Sequence, residues 1–191
     1  MKKLSQEEIN KLIDRKIKDL SVSDLSEVDL SKVDLSQGIM SGASLSGTIL
    51  SWLNLSGVDL SGLDLSGLVL SNVALNEGSM NKIELSGVDL SDVDLSESNL
   101  SGAYLGEANL RKADLSRTNL SGAALSGAKM REANLSGANL SEAYLDETDL
   151  RKANMSAANL SGTYLSGAKY NKDTIWPDGF DPKAAGAIFK S

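Results

Sequence analysis

A large apolar residue stands at every fifth position from Leu20 to Tyr170. These thirty-one anchor positions hold 26 Leu, four Met and one Tyr. A period of five cannot bury one stripe of an α-helix, which repeats every 3.6 residues. Two residues before each anchor lies a smaller position, mostly Val, Leu or Ile up to Val93 and mostly Ala or Thr from Ala103 onward. Because residues two apart in an extended chain point to the same side, both positions are predicted to face one interior.

The two remaining residues of each unit are predicted to turn the chain. Ser follows most anchors and Gly often follows Ser, as at Ser56-Gly57 and Ser121-Gly122. A type II turn requires positive φ at its second central residue, which Gly adopts without steric cost. Repeated turns of one hand would wind short extended segments into a solenoid.

The outward residues indicate how many turns close one coil. Similar residues recur every twenty positions, as in Asn99, Asn119, Asn139 and Asn159, and in Tyr104, Tyr144 and Tyr164. Four units therefore make one coil of about 20 residues, stacked at a strand spacing of ~4.8 Å. The sequence predicts an all-β solenoid of roughly seven to eight such coils.

Several units carry a recognisable pattern. They include Ala108-Asn109-Leu110, Ala113-Asp114-Leu115, Ala133-Asn134-Leu135 and Ala138-Asn139-Leu140. These units resemble the A-[DN]-L-x-x motif of the pentapeptide-repeat proteins, and the resemblance covers about residues 20–170. It implies a right-handed quadrilateral β-helix.

The first half of the chain departs from this motif because Val, Leu or Ile replaces the usual Ala. Leu53, Leu63 and Leu68 are predicted to widen or strain their coils, and Gly38 and Gly78 are the candidates for making room.

Both ends of a stacked coil need a cap, since each exposes an apolar cross-section. Residues 1–19 are predicted to form an N-terminal capping helix ahead of the β-helix of residues 20–170. The stretch from Ser5 to Glu8 is a capping box, and an amphipathic helix is predicted over residues 5–19.

Residues 171–191 leave the repeat and are predicted to form a C-terminal tail or cap. Asp181-Pro182 is predicted to begin a short helix. The apolar residues of this segment are Trp176, Phe180, Ile188 and Phe189. They are interpreted as a lid on the last coil. The alternative is an end-to-end dimer contact, as the resemblance implies from family members that act on gyrase.

The composition restricts the chemistry that this chain can perform. It has no Cys and no His, so thiolate chemistry and the commonest general base and metal ligand are excluded. The sequence contains no phosphate-binding loop, nucleophile elbow or metal cluster, and a leucine-filled rod has no cleft. We therefore expect a non-enzymatic protein without a cofactor.

Charge and the N-terminal sequence indicate the expected partners and location. The net charge is −7, and residues 21–100 hold twelve acidic but only two basic residues. This excess argues against direct binding of nucleic acid. The N-terminus resembles neither a signal peptide nor a membrane span. A cytoplasmic protein without a membrane partner, either monomeric or an end-to-end homodimer, is expected.

Four outward features are candidate contact surfaces. The first is the set of carboxylates in the acidic half: Asp24, Asp29, Asp34, Asp59, Asp64, Glu84, Asp89 and Asp94. They are interpreted as solvated surface, because consecutive members lie on different faces. The alternative is mimicry of the DNA phosphate backbone, which the resemblance implies from the gyrase-binding members.

The second feature is the basic row Arg111, Arg131 and Arg151, a weak candidate for an anion contact. Neighbouring rows alternate in sign, as in Lys129, Asp149 and Lys169, and predict ladders of surface charge instead.

The third feature is apolar. Ile49 and Val69 lie one coil apart on one face with Trp52 around the corner, and they are predicted to form a protein interface or to be covered.

The fourth feature is the tyrosine row Tyr104, Tyr144 and Tyr164, which Ala124 interrupts. It is either cross-strand packing or a recognition strip. The asparagine row is predicted to be a structural hydrogen-bonded ladder.

The sequence thus favours a rigid, non-enzymatic module that binds or organises another protein. The alternative hypothesis is a DNA-mimicking inhibitor or protector of DNA gyrase.

Overall fold

The computed structural model describes residues 2–14, 19–30, 34–45, 48, 50, 53–66, 68, 70 and 73–191. Its dominant feature is a set of parallel β-bridges that join residues twenty positions apart, from Asp19–Ile39 to Asp149–Lys169. The bridges fall on four ladders, one for each pentapeptide of a coil. The twenty-residue repeat and the four-sided β-helix predicted from the sequence are therefore confirmed for the described residues.

Each ladder defines one face, named here by its members. The asparagine face contains Asn99, Asn119, Asn139 and Asn159, and the tyrosine face contains Tyr104, Ala124, Tyr144 and Tyr164. The mixed-charge face contains Asp89, Asn109, Lys129, Asp149 and Lys169, and the Asp-Asn face contains Asp94, Asp114, Asn134 and Asn154.

Regular elements longer than one bridge occur near the ends. Strand β1 (Lys2–Lys3) pairs in parallel with β2 (Ser23–Asp24), and β3 (Lys169–Tyr170) pairs in parallel with β4 (Ile188–Phe189). Helix α1 (Gln6–Asp14) lies between β1 and β2 in the chain.

The turn between units follows the predicted geometry. The N–H of Val58 donates to the carbonyl of Leu55 at 3.1 Å, and Gly57 between them has a φ of 68°. However, the same corner position keeps a positive φ without Gly, as at Glu132 with a φ of 63° and at fourteen other described non-glycine residues. The coil imposes this conformation because the corner must turn with one hand at every unit.

The anchors fill the bore of the solenoid. Leu100 and Leu120 have an exposed fraction of 0%, and every described anchor except Leu160 is buried. Threonines at the second inward position donate to the preceding coil, as the hydroxyl of Thr118 does to the carbonyl of Leu95 at 2.9 Å. The inward assignment made from the five-residue period is therefore confirmed.

The units of Leu53 and Leu63 keep the same ladders, through the bridges Asn54–Ala74 and Asp64–Glu84. Leu53 and Leu63 are buried, and Leu68 is partly buried. At Gly78, a β-carbon would lie 3.2 Å from the carbonyl of Leu75 and 3.3 Å from that of Val58. A β-carbon at this inward position would therefore crowd two backbone carbonyls, which glycine avoids. That Gly78 makes room for the bulky leucines stays a prediction.

The N-terminal helix begins with the predicted capping box. The backbone N–H of Ser5 donates to Glu8 Oε2 at 2.9 Å, and the N–H of Glu8 donates back to Ser5 Oγ at 3.3 Å. Ile9 is fully buried within the core cluster. The predicted extent to residue 19 was wrong, because Asp19 already forms a β-bridge with Ile39.

The C-terminal segment continues the ladders after the repeat motif has ended. Ile175 bridges Asn154 at an offset of twenty-one residues, so this coil has one residue more. The Asp181 carboxylate accepts bonds from the N–H groups of Lys183 and Ala184 at 3.0 and 3.2 Å. The short helix predicted there was wrong, since residues 182–186 form only turns. One capped turn suffices to bring the chain back to pair through β4.

The aromatic residues of this segment gather at the end of the coil. Trp176 stacks on Phe180 with ring centroids 5.2 Å apart. Tyr170 meets the ring of Phe189 edge to face at 5.5 Å. Ile188 remains 45% exposed and Phe189 50% exposed.

Candidate protein-binding surface on the tyrosine face

The outward Asp and Asn residues are held by the turn that follows them. Asp64 Oδ1 accepts from the N–H of Ser66 at 2.9 Å and from its hydroxyl at 2.6 Å. This is an Asx turn, which explains why the chain places Asp or Asn two residues before Ser. The bonds from the Ser66 hydroxyl and then its N–H hold the pKa of Asp64 below its ordinary value.

Seven of the eight acidic candidates, all but Asp29, are shown accepting from the serine two residues later, and they spread around the rod. Asp59 lies on the ladder of the asparagine face, Asp64 and Glu84 on that of the tyrosine face, and Asp89 on the mixed-charge face. Asp89 and Asp94 both accept from the serine two residues later. These bonds fix the carboxylates in the turns and do not collect them into one continuous stripe.

Two of the three arginines, Arg111 and Arg151, donate to acceptors of their own chain. Arg111 Nη1 donates to Asn109 Oδ1 at 3.3 Å, and Arg151 donates twice to Asp149 at 2.8 and 2.6 Å. Burial acts to raise the pKa of Asp149, but hydrogen bonds from Arg151 outweigh it and lower the pKa. The attraction of Arg131 acts in the same direction. These contacts weaken the case for an anion site on this row.

The predicted charge ladders form only in part. Lys152 pairs with Glu132 at 3.3 Å across one coil. The expected pairing of Asp149 with Lys129 and Lys169 was wrong, because its carboxylate is held by Arg151 in the same coil.

The asparagine row forms the predicted ladder. Asn119 Nδ2 donates to Asn99 Oδ1 at 3.2 Å, Asn139 donates to Asn119 at 3.3 Å, and Asn159 donates to Asn139 at 3.1 Å. Since each amide is used within the row, this face is assigned to structure.

The tyrosine row lies at the surface. Tyr104 is 51% exposed, Tyr144 47% and Tyr164 53%. The rings of Tyr144 and Tyr164 stack with centroids 4.8 Å apart and planes 4° from parallel. Tyr104 is separated from this pair by Ala124, which bridges both Tyr104 and Tyr144.

Acidic residues border this row at the corner towards the mixed-charge face. A surface cavity of about 280 Å³ is lined by Glu107, Ser126, Gly127, Asp146 and Glu147. The stem of Glu107 leans over Gly127, whose β-carbon would lie 3.4 Å from Glu107 Cγ. Sequence reasoning missed this corner, although the twenty-residue register places Glu107, Gly127 and Glu147 in one column.

Two predicted groups remain, the apolar group of the first half and the apolar residues of the C-terminal segment. Ile49, Trp52 and Val69 lie outside the described residues. The C-terminal group is brought together around Trp176, and Pro177 and Phe180 line a second cavity of about 350 Å³.

Among the described residues no group of His, Cys, Asp and Glu is arranged to hold a metal ion. No helix in the described part of the chain has the length and apolar character needed to cross a membrane.

Several solved structures are similar to this chain, with TM-scores below 0.5. HetL, a pentapeptide-repeat protein involved in regulation of heterocyst differentiation in Nostoc sp. strain PCC 7120, is 28% identical, with 93% of this chain and 99% of HetL covered and a TM-score of 0.49. Rfr23 from the cyanobacterium Cyanothece 51142 is 28% identical, with 66% and 89% covered and a TM-score of 0.45. QnrB1, a plasmid-mediated fluoroquinolone resistance protein, is 15% identical, with 91% and 84% covered and a TM-score of 0.42. A comparison with curated proteins returns no significant match.

A family model matches most of the chain. The model described as "Pentapeptide repeats (8 copies)" matches residues 23–62, 54–92, 64–102, 94–132 and 133–169. These matches cover most of the chain, and the right-handed quadrilateral β-helix of that family agrees with the four ladders. The chain belongs to the pentapeptide-repeat family.

Proposed function

We propose that this chain is a non-enzymatic, rigid module that binds or organises another protein, and that the tyrosine face is its contact surface. The stacked, half-exposed pair Tyr144 and Tyr164 carries this proposal. Tyrosine is enriched at protein interfaces because one ring offers apolar area and a hydrogen-bonding hydroxyl. The stacked rings are already ordered, so binding costs little side-chain entropy.

The build of the rod supports a binding role over catalysis. Leucines fill the interior, and several turn serines donate their hydroxyls to turn carboxylates, as Ser66 does to Asp64 and Ser91 to Asp89. A flat, rigid face suits recognition of a protein surface, whereas enzymes usually need a concave pocket.

We also propose that the rod has seven to eight coils and that both ends are capped. Helix α1 buries Ile9 in the core at one end. Trp176 and Phe180 stack beside Tyr170 at the other. These contacts favour a lid over an end-to-end dimer contact, and sedimentation velocity of the purified chain distinguishes a monomer from a homodimer.

The test of the binding role compares two single substitutions on neighbouring faces. Tyr144→Ser removes one stacked ring, and Lys129→Ser removes an exposed side chain of the mixed-charge face as a matched control. Immobilised wild-type and variant proteins are incubated with native lysate, and captured proteins are quantified by mass spectrometry. We expect one partner at fixed stoichiometry to be lost with Tyr144→Ser and kept with Lys129→Ser. Equal capture by both variants would contradict a role for this face.

A second candidate function is inhibition or protection of DNA gyrase, which the charge of residues 21–100 favours with its twelve acidic and two basic residues. Mimicry of DNA needs a continuous acidic surface. Because the carboxylates lie on different faces, we rank this function second. A supercoiling assay with purified gyrase tests it: altered supercoiling or relief of drug inhibition supports mimicry, and an unchanged reaction excludes it.

A further inference from the structure

The tyrosine row contains a gap of the thickness of one ring. Tyr104, Ala124 and Tyr144 occupy three successive rungs of one ladder. One rung apart, Tyr144 and Tyr164 stack with centroids at 4.8 Å. Two rungs correspond to about 9.6 Å, so a single flat group above Ala124 has room to stack on Tyr104 and on Tyr144.

The gap is open on one side. The corner before Ala124 carries Gly122, and nothing lies within 4 Å of where its β-carbon would be. On the other side, Gly127 leaves the cavity of about 280 Å³ beside the gap. A side chain from outside can therefore enter above Ala124 without moving the backbone.

The charge around the gap identifies what kind of flat group fits. Glu107, Asp146 and Glu147 line the adjoining cavity, and Glu84 occupies the rung on the far side of Tyr104. Two described cations lie near: Lys82 belongs to the opposite corner, where its stem lies 3.6 Å from the β-carbon position of Gly102, and Lys129 lies two residues beyond Gly127 on the mixed-charge face. Three carboxylates beside two tyrosine faces favour a planar cation over a neutral aromatic ring.

We propose that Tyr104, Ala124 and Tyr144 form a slot for the guanidinium group of an arginine on a partner protein. The guanidinium stacks between the two rings, and its N–H groups face the carboxylates of Glu107, Asp146 and Glu147. An arginine meets both requirements because its cation is planar and carries several donors, whereas a lysine ammonium is a compact point charge. This inference rests on the proposed protein-binding function and specifies the chemistry of the partner.

The test uses short peptides and the tyrosine rings as reporters. The chain has only four tyrosines, so ring-labelled protein gives few NMR signals, and the buried Tyr170 is an internal reference. Three peptides of identical sequence carry one central arginine, lysine or citrulline. We expect the arginine peptide to shift the signals of Tyr104 and Tyr144, to bind several-fold more tightly than the lysine peptide, and to lose binding when citrulline replaces arginine.

Three variants test the slot, of which one fills the gap and two leave it intact. Ala124→Tyr supplies the missing ring and is expected to weaken binding of the arginine peptide at least about tenfold. Ala74→Tyr adds a ring at the equivalent position of the Asp-Asn ladder and is expected to change nothing. Glu107→Gln keeps the slot and removes one carboxylate, and a loss of about threefold is expected.

The outcomes separate this inference from the proposed function. Equal binding of the arginine peptide by the Ala124→Tyr and Ala74→Tyr variants overturns the slot, as does equal binding of the citrulline peptide. Absence of any peptide binding also overturns it, while selective loss of a captured protein with Tyr144→Ser would leave the protein-binding function standing. If that selective loss is absent too, the function itself fails.

Discussion

The two halves of the solenoid build the same coil around different interiors. Leu63 in the first half and Ala123 in the second occupy the same inward column, and both are buried. The ladders next to them keep the same register. The backbone N–H of Leu65 donates to the carbonyl of Glu84 at 3.0 Å, and the N–H of Leu125 donates to the carbonyl of Tyr144 at 2.8 Å. The backbone ladder thus stays the same where the inward residue changes size.

The largest loss of stability is expected from a charge placed in the core at Leu100, where the two halves meet. Leu100→Asp places a carboxylate in the filled bore and removes an anchor with an exposed fraction of 0%. We expect destabilisation of at least about 5 kcal/mol or complete unfolding, since the lost packing and an unpaired buried charge add together. Thermal melting followed by circular dichroism measures it. Asn99→Asp, one residue away and outward, is the control, and equal melting of both variants would refute the inward assignment.

A smaller loss of stability is expected when an inward leucine of the first half is replaced by the alanine that is usual in the second half. Leu63→Ala removes a buried side chain and leaves a cavity next to Ile83 in the same column, at a cost of about 2–4 kcal/mol. Urea unfolding of this variant measures the cost. A change below about 1 kcal/mol would mean that the bulky coils are not tightly packed.

The reverse exchange tests whether the second half is narrower. Ala123→Leu adds side-chain volume where the exposed fraction is already 0%, and overpacking is expected to cost about 1–3 kcal/mol. The measurement is again urea unfolding. Stabilisation by this variant would show that alanine leaves unfilled space there.

The corners are expected to behave alike in both halves. Gly62 and Gly122 have φ values of 68° and 63°, and nothing lies within 4 Å of either β-carbon position. Alanine at each site is therefore expected to cost about 1 kcal/mol from backbone strain alone. Ala157→Gly, at a φ of 56°, should give a small stabilisation. Unequal costs at Gly62 and Gly122 would mean that interior bulk alters the corner.

The smallest change in stability is expected when the pH is lowered. Bonds from the hydroxyls and then the N–H groups of Ser66 and Ser91 hold the pKa values of Asp64 and Asp89 below the ordinary 3.8. A lowered pKa contributes stability that is present above the unfolded value and is lost as pH falls through the folded value. We therefore expect a slight drop in melting temperature below about pH 3.8. NMR titration should show the pKa of Asp64 rising in the Ser66→Ala variant and unchanged in Ser91→Ala.

Much of this architecture is readable from the sequence because every unit repeats the same physical requirement. The anchors, the turn and the twenty-residue register each recur many times, so a pattern that is weak in one unit becomes unambiguous over thirty-one. The tyrosine row and the asparagine ladder follow from that register. The capping box at Ser5 is local, and it too was predicted.

Features that occur once were harder to predict. The bond from Arg151 to Asp149 competes with charge pairing between coils, and only side-chain geometry shows which contact forms. The turn after Asp181 is equally consistent with the start of a helix, because its first hydrogen bonds are the same.

The sequence by itself determined the period, the four faces of the coil and the family, because the apolar anchors recur every five residues and similar outward residues recur every twenty. Only the tertiary structure decided that positive φ persists at corners without glycine, that the chain returns to pair as β4, and that carboxylates gather beside the gap at Ala124. Those features depend on stacking between coils, where the position of each residue is set by a neighbour twenty residues away.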